Sequence, residues 1–147
     1  MIDFKQKTIW ITGASSGIGK ALAIKFSNLN ANVVLSSRNQ KELEEVAKNC
    51  DNNCMILPID LEKQDGFSND VKKVTEQFKT IDLLINNGGI SQRSEASQTS
   101  LEVDRRLMEV NYFGTIALTK SVLPVMQNQK SGYIVTVCSL SGKFGFF

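Results

Sequence analysis

At 147 residues, 41% hydrophobic and 22% charged, the chain has the balance of one soluble globular domain with enough apolar material for a sizeable core. Seventeen Lys and Arg against fifteen Asp and Glu leave a formal charge of +2. The basic residues are scattered, which argues against nucleic acid or an anionic membrane as partner. With no His in the chain, a histidine base or histidine metal ligand is excluded.

The short polar N-terminus, Met1 to Lys7, carries no apolar signal region. Thr8 to Thr12 is an apolar run that stops at Gly13, the pattern of a buried strand. From Gly17 the residues Ile18, Leu22, Phe26 and Leu29 recur at helical steps and predict one packed helix face. Val33 to Leu35 is the next strand, followed by a helix carrying Leu43, Val46 and Ala47. Cys50 and Cys54 follow. Their spacing suits neither a redox motif nor a zinc site, and with Cys138 they are read as reduced thiols of a cytoplasmic protein.

Met55 to Leu57 is a third strand, and Phe67, Val71, Val74 and Phe78 mark a third helix. Ile81 to Ile85 is a fourth strand, ending in Asn86-Asn87-Gly88-Gly89. After a polar loop from Ser91 to Ser100, Thr99 and Glu102 have capping-box spacing. They open a long helix expected to run from about Leu101 to about Gln127, kinked in its last turn by Pro124. Its packed face is expected to hold Val103, Leu107, Val110, Phe113 and Ala117. Tyr133 to Cys138 is a fifth strand. No apolar stretch approaches the roughly 20 residues of a membrane helix. Strands alternating with helices predict an α/β fold, a doubly wound parallel sheet with helices on both faces. Ligands of such sheets bind beyond the strand carboxyl ends, where strand order reverses.

The segment from Thr12 to Gly19 lies in the first strand-to-helix turn. Gly13, Gly17 and Gly19 there let the backbone turn tightly and approach a pyrophosphate held by the N–H groups of the helix start. The spacing Gly-x3-Gly-x-Gly is a variant of the general dinucleotide loop. About 20 residues on, an NAD site usually carries an acidic residue for the ribose 2′-hydroxyl. Here the second strand ends in Ser36, Ser37 and Arg38. A guanidinium and a hydroxyl at that place suit a 2′-phosphate, which predicts NADP(H) over NAD(H). Asn111 and Gly114 are poor helix formers on an otherwise packed face, and predict a local kink or a held water. Ser139 ends the fifth strand at the ligand edge, where its hydroxyl could polarise a substrate carbonyl.

These blocks, together with Asp60-Leu61 after the third strand, resemble the short-chain dehydrogenase/reductases over essentially the whole chain, and most of all their dehydrogenase/reductase member-7-like branch. The resemblance implies a Rossmann-type fold whose C-terminal strands are missing here. It implies that Ser15, Ser16 and Ile18 help line the phosphate loop, that Asp60 and Leu61 contact the adenine, and that Asn87 borders the ribose beside the nicotinamide. Gly88, next to Gly89, stands where the family usually has Ala, a change expected to have little effect. Asn86 is expected to bridge neighbouring strand ends. Asn111 is implied in a proton relay, and Ser139 rather than Ser141 as the catalytic hydroxyl. Assembly as a homodimer or homotetramer is implied as well.

One departure matters. The family's Tyr-x3-Lys pair, about a dozen residues after the Ser, does not occur: Tyr112 is followed four later by Ile116, and Tyr133 by Val137. The chain ends at Phe147 in an apolar tail, Phe144-Gly145-Phe146-Phe147, so it is expected to be the N-terminal part of a longer polypeptide. Two functions follow as expectations. The first is an NADP(H)-dependent oxidoreductase acting on a small carbonyl or alcohol, inactive as these 147 residues alone. The second is a non-catalytic dinucleotide-binding or interaction module.

Overall fold

The computed structural model describes residues 3–50 and 53–143. The apolar tail from Phe144 to Phe147 lies outside the described residues. Five strands form one sheet: β1 (Thr8–Thr12), β2 (Asn32–Ser36), β3 (Cys54–Ile56), β4 (Leu83–Asn86) and β5 (Tyr133–Thr136). The spatial order is β3-β2-β1-β4-β5, and every pairing is parallel. The chain therefore winds outward from β1 to β3, returns to the other side of β1, and winds outward again to β5. The reversal lies between β1 and β4.

Parallel strands need crossovers, and each crossover carries a helix. Strand residues alternate between the faces, so Ile9 and Ile11 pack with Val33, Leu35, Leu83 and Ile85 on one side, under α1 (Gly17–Ser27) and α2 (Gln40–Ala47). Trp10, Val34 and Leu84 face the other side, under α3 (Phe67–Phe78) and the long helical segment that follows β4. Burial of each such branched or aromatic side chain is worth about 1.5–3 kcal/mol, which outweighs the roughly 1 kcal/mol cost of each helical Gly in α1. No helix among the described residues is long and apolar enough to cross a membrane.

Several sequence expectations shift here. The face of α1 that packs is Gly19, Ala23 and Ser27, one residue round from the expected stripe; Ile18 is 59% exposed, while Leu22 and Phe26 are half-buried. Small residues win because α1 lies close against the sheet. The long helix is not continuous. It consists of α4 (Leu101–Met108), a π-helical turn over Glu109–Gly114, and α5 (Thr115–Asn128), with Pro124 inside α5. The buried line runs Val110, Gly114, Leu118, Val122 and Met126, with Ala117 and Val125 partly buried beside it. Phe113, expected to pack, is 46% exposed. The capping box does not form. Ser100 is the N-cap and makes no side-chain cap bond, because the Thr99 hydroxyl turns back to the Glu95 carbonyl at 3.0 Å.

Candidate functional site

A cleft of about 990 Å³ opens above the carboxyl ends of β1, β2 and β4, at the strand-order reversal. Its floor is tied together by Thr12, the last residue of β1. The Thr12 hydroxyl accepts hydrogen bonds from the backbone N–H of Asn87 at 3.0 Å and of Gly88 at 2.8 Å. The Asn87 side-chain amide donates back to the carbonyls of Thr12 and Gly13, at 3.0 and 3.2 Å. The loop after β4 and the loop after β1 are thus laced together across the switch point. The bridging expected of Asn86 is done by Asn87; Asn86 instead donates to the Thr119 hydroxyl of α5 at 3.0 Å, because its side chain lies on the opposite face.

The glycine loop is shaped by close approach. Gly13 and Gly17 have φ of 64° and 52°, backbone that a side chain rarely adopts. A Cβ on Gly13 would lie 2.8 Å from the Gly88 Cα, and one on Gly19 would lie 2.8 Å from the Gly13 carbonyl carbon. A Cβ on Gly17 would meet nothing within 4 Å. Gly19 is therefore a packing glycine beneath the cleft, whereas Gly13, Ser15, Ser16, Gly17 and Ile18 line it. Ser16 is the N-cap of α1 and makes no side-chain cap bond, and no acidic residue stands in the first turn. The N–H groups of that turn and the positive end of the helix face the opening.

At the far end, Ser37 and Arg38 line the cleft with the start of α2, from Asn39 to Glu42. Ser36 below them is fixed, accepting from the Trp10 indole N–H at 2.9 Å and donating to the Leu57 carbonyl at 2.7 Å. The Ser37 hydroxyl accepts the Asn39 N–H at 3.2 Å and so holds the turn into α2. Arg38 is exposed and forms no ion pair among the described residues. Glu42 lies in the first turn of α2, where the helix N-terminus favours its charge.

Asp60 and Leu61 form the wall nearest β3. The Asp60 carboxylate accepts the Glu62 N–H at 3.1 Å and shapes the turn; Leu61 is buried against Val110 and Leu118. Gly88 and Gly89 line the wall opposite. A Cβ on Gly88 would come 3.0 Å from the Leu61 Cδ1 and 3.2 Å from the Gly13 nitrogen, so the two walls meet closely there. Ile59, Ile90 and Val110 complete the cleft with apolar surface. No motif marks these three, and only their position after a strand or on a helix face could have pointed to them.

Neither predicted catalytic residue lines the cleft. Asn111 sits in the π-turn and clasps Ile90, its amide donating to the Ile90 carbonyl and accepting the Ile90 N–H, both at 2.8 Å. The expected local departure from helix is present, and the amide is engaged with the loop after Gly89. Ser139 lies past the end of β5, at the same sheet edge as Asn86, whose carbonyl accepts the Val137 N–H at 2.9 Å. Its hydroxyl caps a short turn, accepting from the Ser141 N–H at 3.1 Å and donating to the Ser141 hydroxyl at 2.9 Å. The three thiols are apart from the cleft: Cys50 and Cys54 lie at the opposite end of the sheet and Cys138 is exposed. Burial, with Cys50 beside it, pushes the Cys54 thiol up to about 12.

Residues 7–147 match the short chain dehydrogenase family. The chain is 47% identical over 147 residues to the human protein "Dehydrogenase/reductase SDR family member 7", a match covering 95% of this chain and 43% of that protein. It is 45% identical over 146 residues to the Anopheles gambiae "Dehydrogenase/reductase SDR family protein 7-like", covering 94% of this chain and 46% of the other. The chain thus spans less than half the length of these curated relatives. Among solved structures, a short-chain type dehydrogenase/reductase from Mycobacterium marinum superposes with a TM-score of 0.93 at 26% identity, covering 99% of this chain and 60% of that one. Levodione reductase superposes with a TM-score of 0.92 at 25% identity, covering 97% and 58%.

Proposed function

The chain belongs to the short-chain dehydrogenase family, and on that premise we propose that it is the cofactor-binding part of an oxidoreductase moving a hydride between NADP(H) and a small carbonyl or alcohol. The observation that carries this reading is the cleft itself. Every cofactor residue expected from the sequence except Gly19 lines one cavity at the switch point, and its volume suits a dinucleotide. Nicotinamide dinucleotides are the cofactors of the family, and when bound the nicotinamide supplies or accepts the hydride.

The chain's own residues then have separate tasks. The open N–H groups from Ser15 to Ile18 receive the phosphates at the helix start. The missing side chains at Gly13 and Gly88 leave room for the backbone to close beneath them. Thr12 and Asn87 hold the loops after β1 and β4 at a fixed separation, so the cradle is formed before anything binds. Arg38, exposed and without an ion pair among the described residues, is available for a bidentate bond to a 2′-phosphate, with Ser37 beside it. Support for NADP(H) over NAD(H) comes from these two side chains at the end of β2, the nearest carboxylate of that end being Glu42 in the first turn of α2.

For catalysis, Ser139 would hydrogen-bond the reacting oxygen, and Asn111 would keep the loop at Ile90 in place and take part in the proton relay. Nothing in these 147 residues supplies a Tyr-x3-Lys pair. Relatives more than twice as long support the proposal that the proton donor follows in a longer polypeptide. Self-association is proposed for that polypeptide, supported by the exposed Met108, Tyr112 and Phe113 on the outer side of the long helix.

The decisive experiment uses the full polypeptide carrying this chain, with NADPH and NADH offered alongside a panel of carbonyl compounds. NADPH oxidation by one or more of them is expected. Arg38→Ala is expected to weaken NADPH by roughly 10- to 100-fold, the worth of a charge-assisted bidentate bond, and to leave NADH unchanged. An unaltered ratio of the two affinities rejects the NADP(H) assignment. Tight NADPH binding with no turnover on any carbonyl or alcohol favours a non-catalytic dinucleotide-binding module instead.

A further inference from the structure

The π-turn supports two walls of the cleft from behind, and Asn111 accounts for only one of them, at Ile90. Behind the other lies Gly114, buried against the backbone of Leu61. A Cβ there would press on the Leu61 carbonyl oxygen, closer than non-bonded atoms allow, and would lie 2.9 Å from both the Leu61 carbonyl carbon and its Cβ. These are backbone or backbone-proximal atoms, so no side-chain rotation relieves the contact. The same stretch is tied to the helix twice more. Gln64 donates to the Glu109 carboxylate at 3.2 Å, and Arg106 donates to Glu62 at 3.3 Å.

We infer that Gly114 is a positioning residue: the seat on which the Asp60-Leu61 wall of the cleft rests. The inference builds on the dinucleotide reading above, in which that wall receives the adenine. Within the π-turn Gly114 is buried on the same side as Val110, while Phe113, expected on the packed face, is turned out to 46% exposure. Leu61 transmits the position onward, since its Cδ1 is the atom nearest to where a Gly88 side chain would begin. Adenine-end affinity is thus set in part from behind the wall, at a residue that does not itself line the cleft, whereas the opposite wall, at Gly89 and Ile90, is held independently by Asn111.

The test separates the two ends of the ligand on the full polypeptide. Binding is measured for NADPH, for nicotinamide mononucleotide, and for 5′-AMP or adenosine 2′,5′-bisphosphate, whichever the wild type holds more tightly. Gly114→Ala is expected to weaken NADPH and the adenine nucleotide alike, by about tenfold or more, with nicotinamide mononucleotide held within about twofold. Unchanged adenine-nucleotide affinity, or an equal loss for both halves, overturns the inference. If Gly114→Ala does not fold, the double variant Gln64→Ala with Arg106→Ala removes the polar ties without crowding. It is expected to weaken the adenine nucleotide about two- to fivefold at constant mononucleotide affinity, and no such weakening overturns the inference. A wild type that binds neither NADPH nor the adenine nucleotide defeats the dinucleotide reading, and this inference with it. A wild type that binds both, beside a Gly114→Ala protein that binds them equally well, defeats the inference alone.

Discussion

Replacing Thr12 by Val tests the lacing of the cleft. The two side chains have nearly the same shape, so no cavity opens in a residue that is 1% exposed, and what is lost is the hydroxyl, which also donates to the Ile85 carbonyl at 3.4 Å. That hydroxyl accepts from two N–H groups, Asn87 at 3.0 Å and Gly88 at 2.8 Å, and both are left without their partner. An orphaned buried donor costs about 1–3 kcal/mol. Asn87 and Gly88 are half-buried, so water partly compensates, and the sum comes to roughly 2–4 kcal/mol. Against a total stability of about 5–15 kcal/mol this is a large loss. Urea unfolding followed through Trp10, the one tryptophan of the chain and fully buried, reads it directly as a fall in midpoint at constant slope. Thr12→Ser keeps the hydroxyl and loses a methyl group, costing about 1 kcal/mol. The reasoning is refuted if Thr12→Val proves no more destabilising than Thr12→Ser.

Asn111→Ala removes both bonds to Ile90 and leaves that backbone pair to water, which should lower stability by roughly 1–3 kcal/mol; a thermal melt checks this, and an unshifted melting temperature contradicts it. The Cys54 thiol, pushed up from 9.0 to about 12 by burial, stays protonated in the folded protein while an unfolded chain ionises it from about 9. Iodoacetamide near pH 8 should accordingly modify the exposed Cys138 first and Cys54 only after unfolding. The same shift means that stability contributed by the neutral Cys54 thiol is complete below about 9 and declines as pH rises from there toward 12. Faster labelling of Cys54 than of Cys138 in the native protein would overturn that ordering.

Much of the scaffold is local and therefore legible from residues alone. Apolar runs of strand length alternating with helical stripes specify a parallel sheet, because each strand must be reached by a crossover and each crossover helix must cover a face. The glycine loop, the end of β2 and the segment after β4 stand out for the same reason, since each is polar or glycine-rich where a strand stops. The stripes themselves were less legible. On α1 the expected Leu22 and Phe26 do pack, but the small Gly19, Ala23 and Ser27 lie deepest because the helix lies close to the sheet, and Ile18 and Leu29 are exposed. Along the long helix the expected line failed at Phe113, which lies in the π-turn, while Ala117 beyond it packs against the core; nothing in residues three or four apart records the π-turn.

A length of 147 residues suffices for a core, and the sequence alone determined that core, the strand-to-helix turns that carry the chemistry, and the lack of a Tyr-x3-Lys pair. Only the tertiary structure decided which of the marked residues meet. Thr12 and Asn87 are 75 positions apart, yet their mutual bonds close the cleft. Gly114 looks like a helix defect in sequence and becomes a contact surface only when Leu61 is brought against it. Hydrophobic period is a property of neighbours along the chain and survives in one dimension. Close backbone approach depends on how two loops from opposite halves of the sheet are packed, and exists only in three.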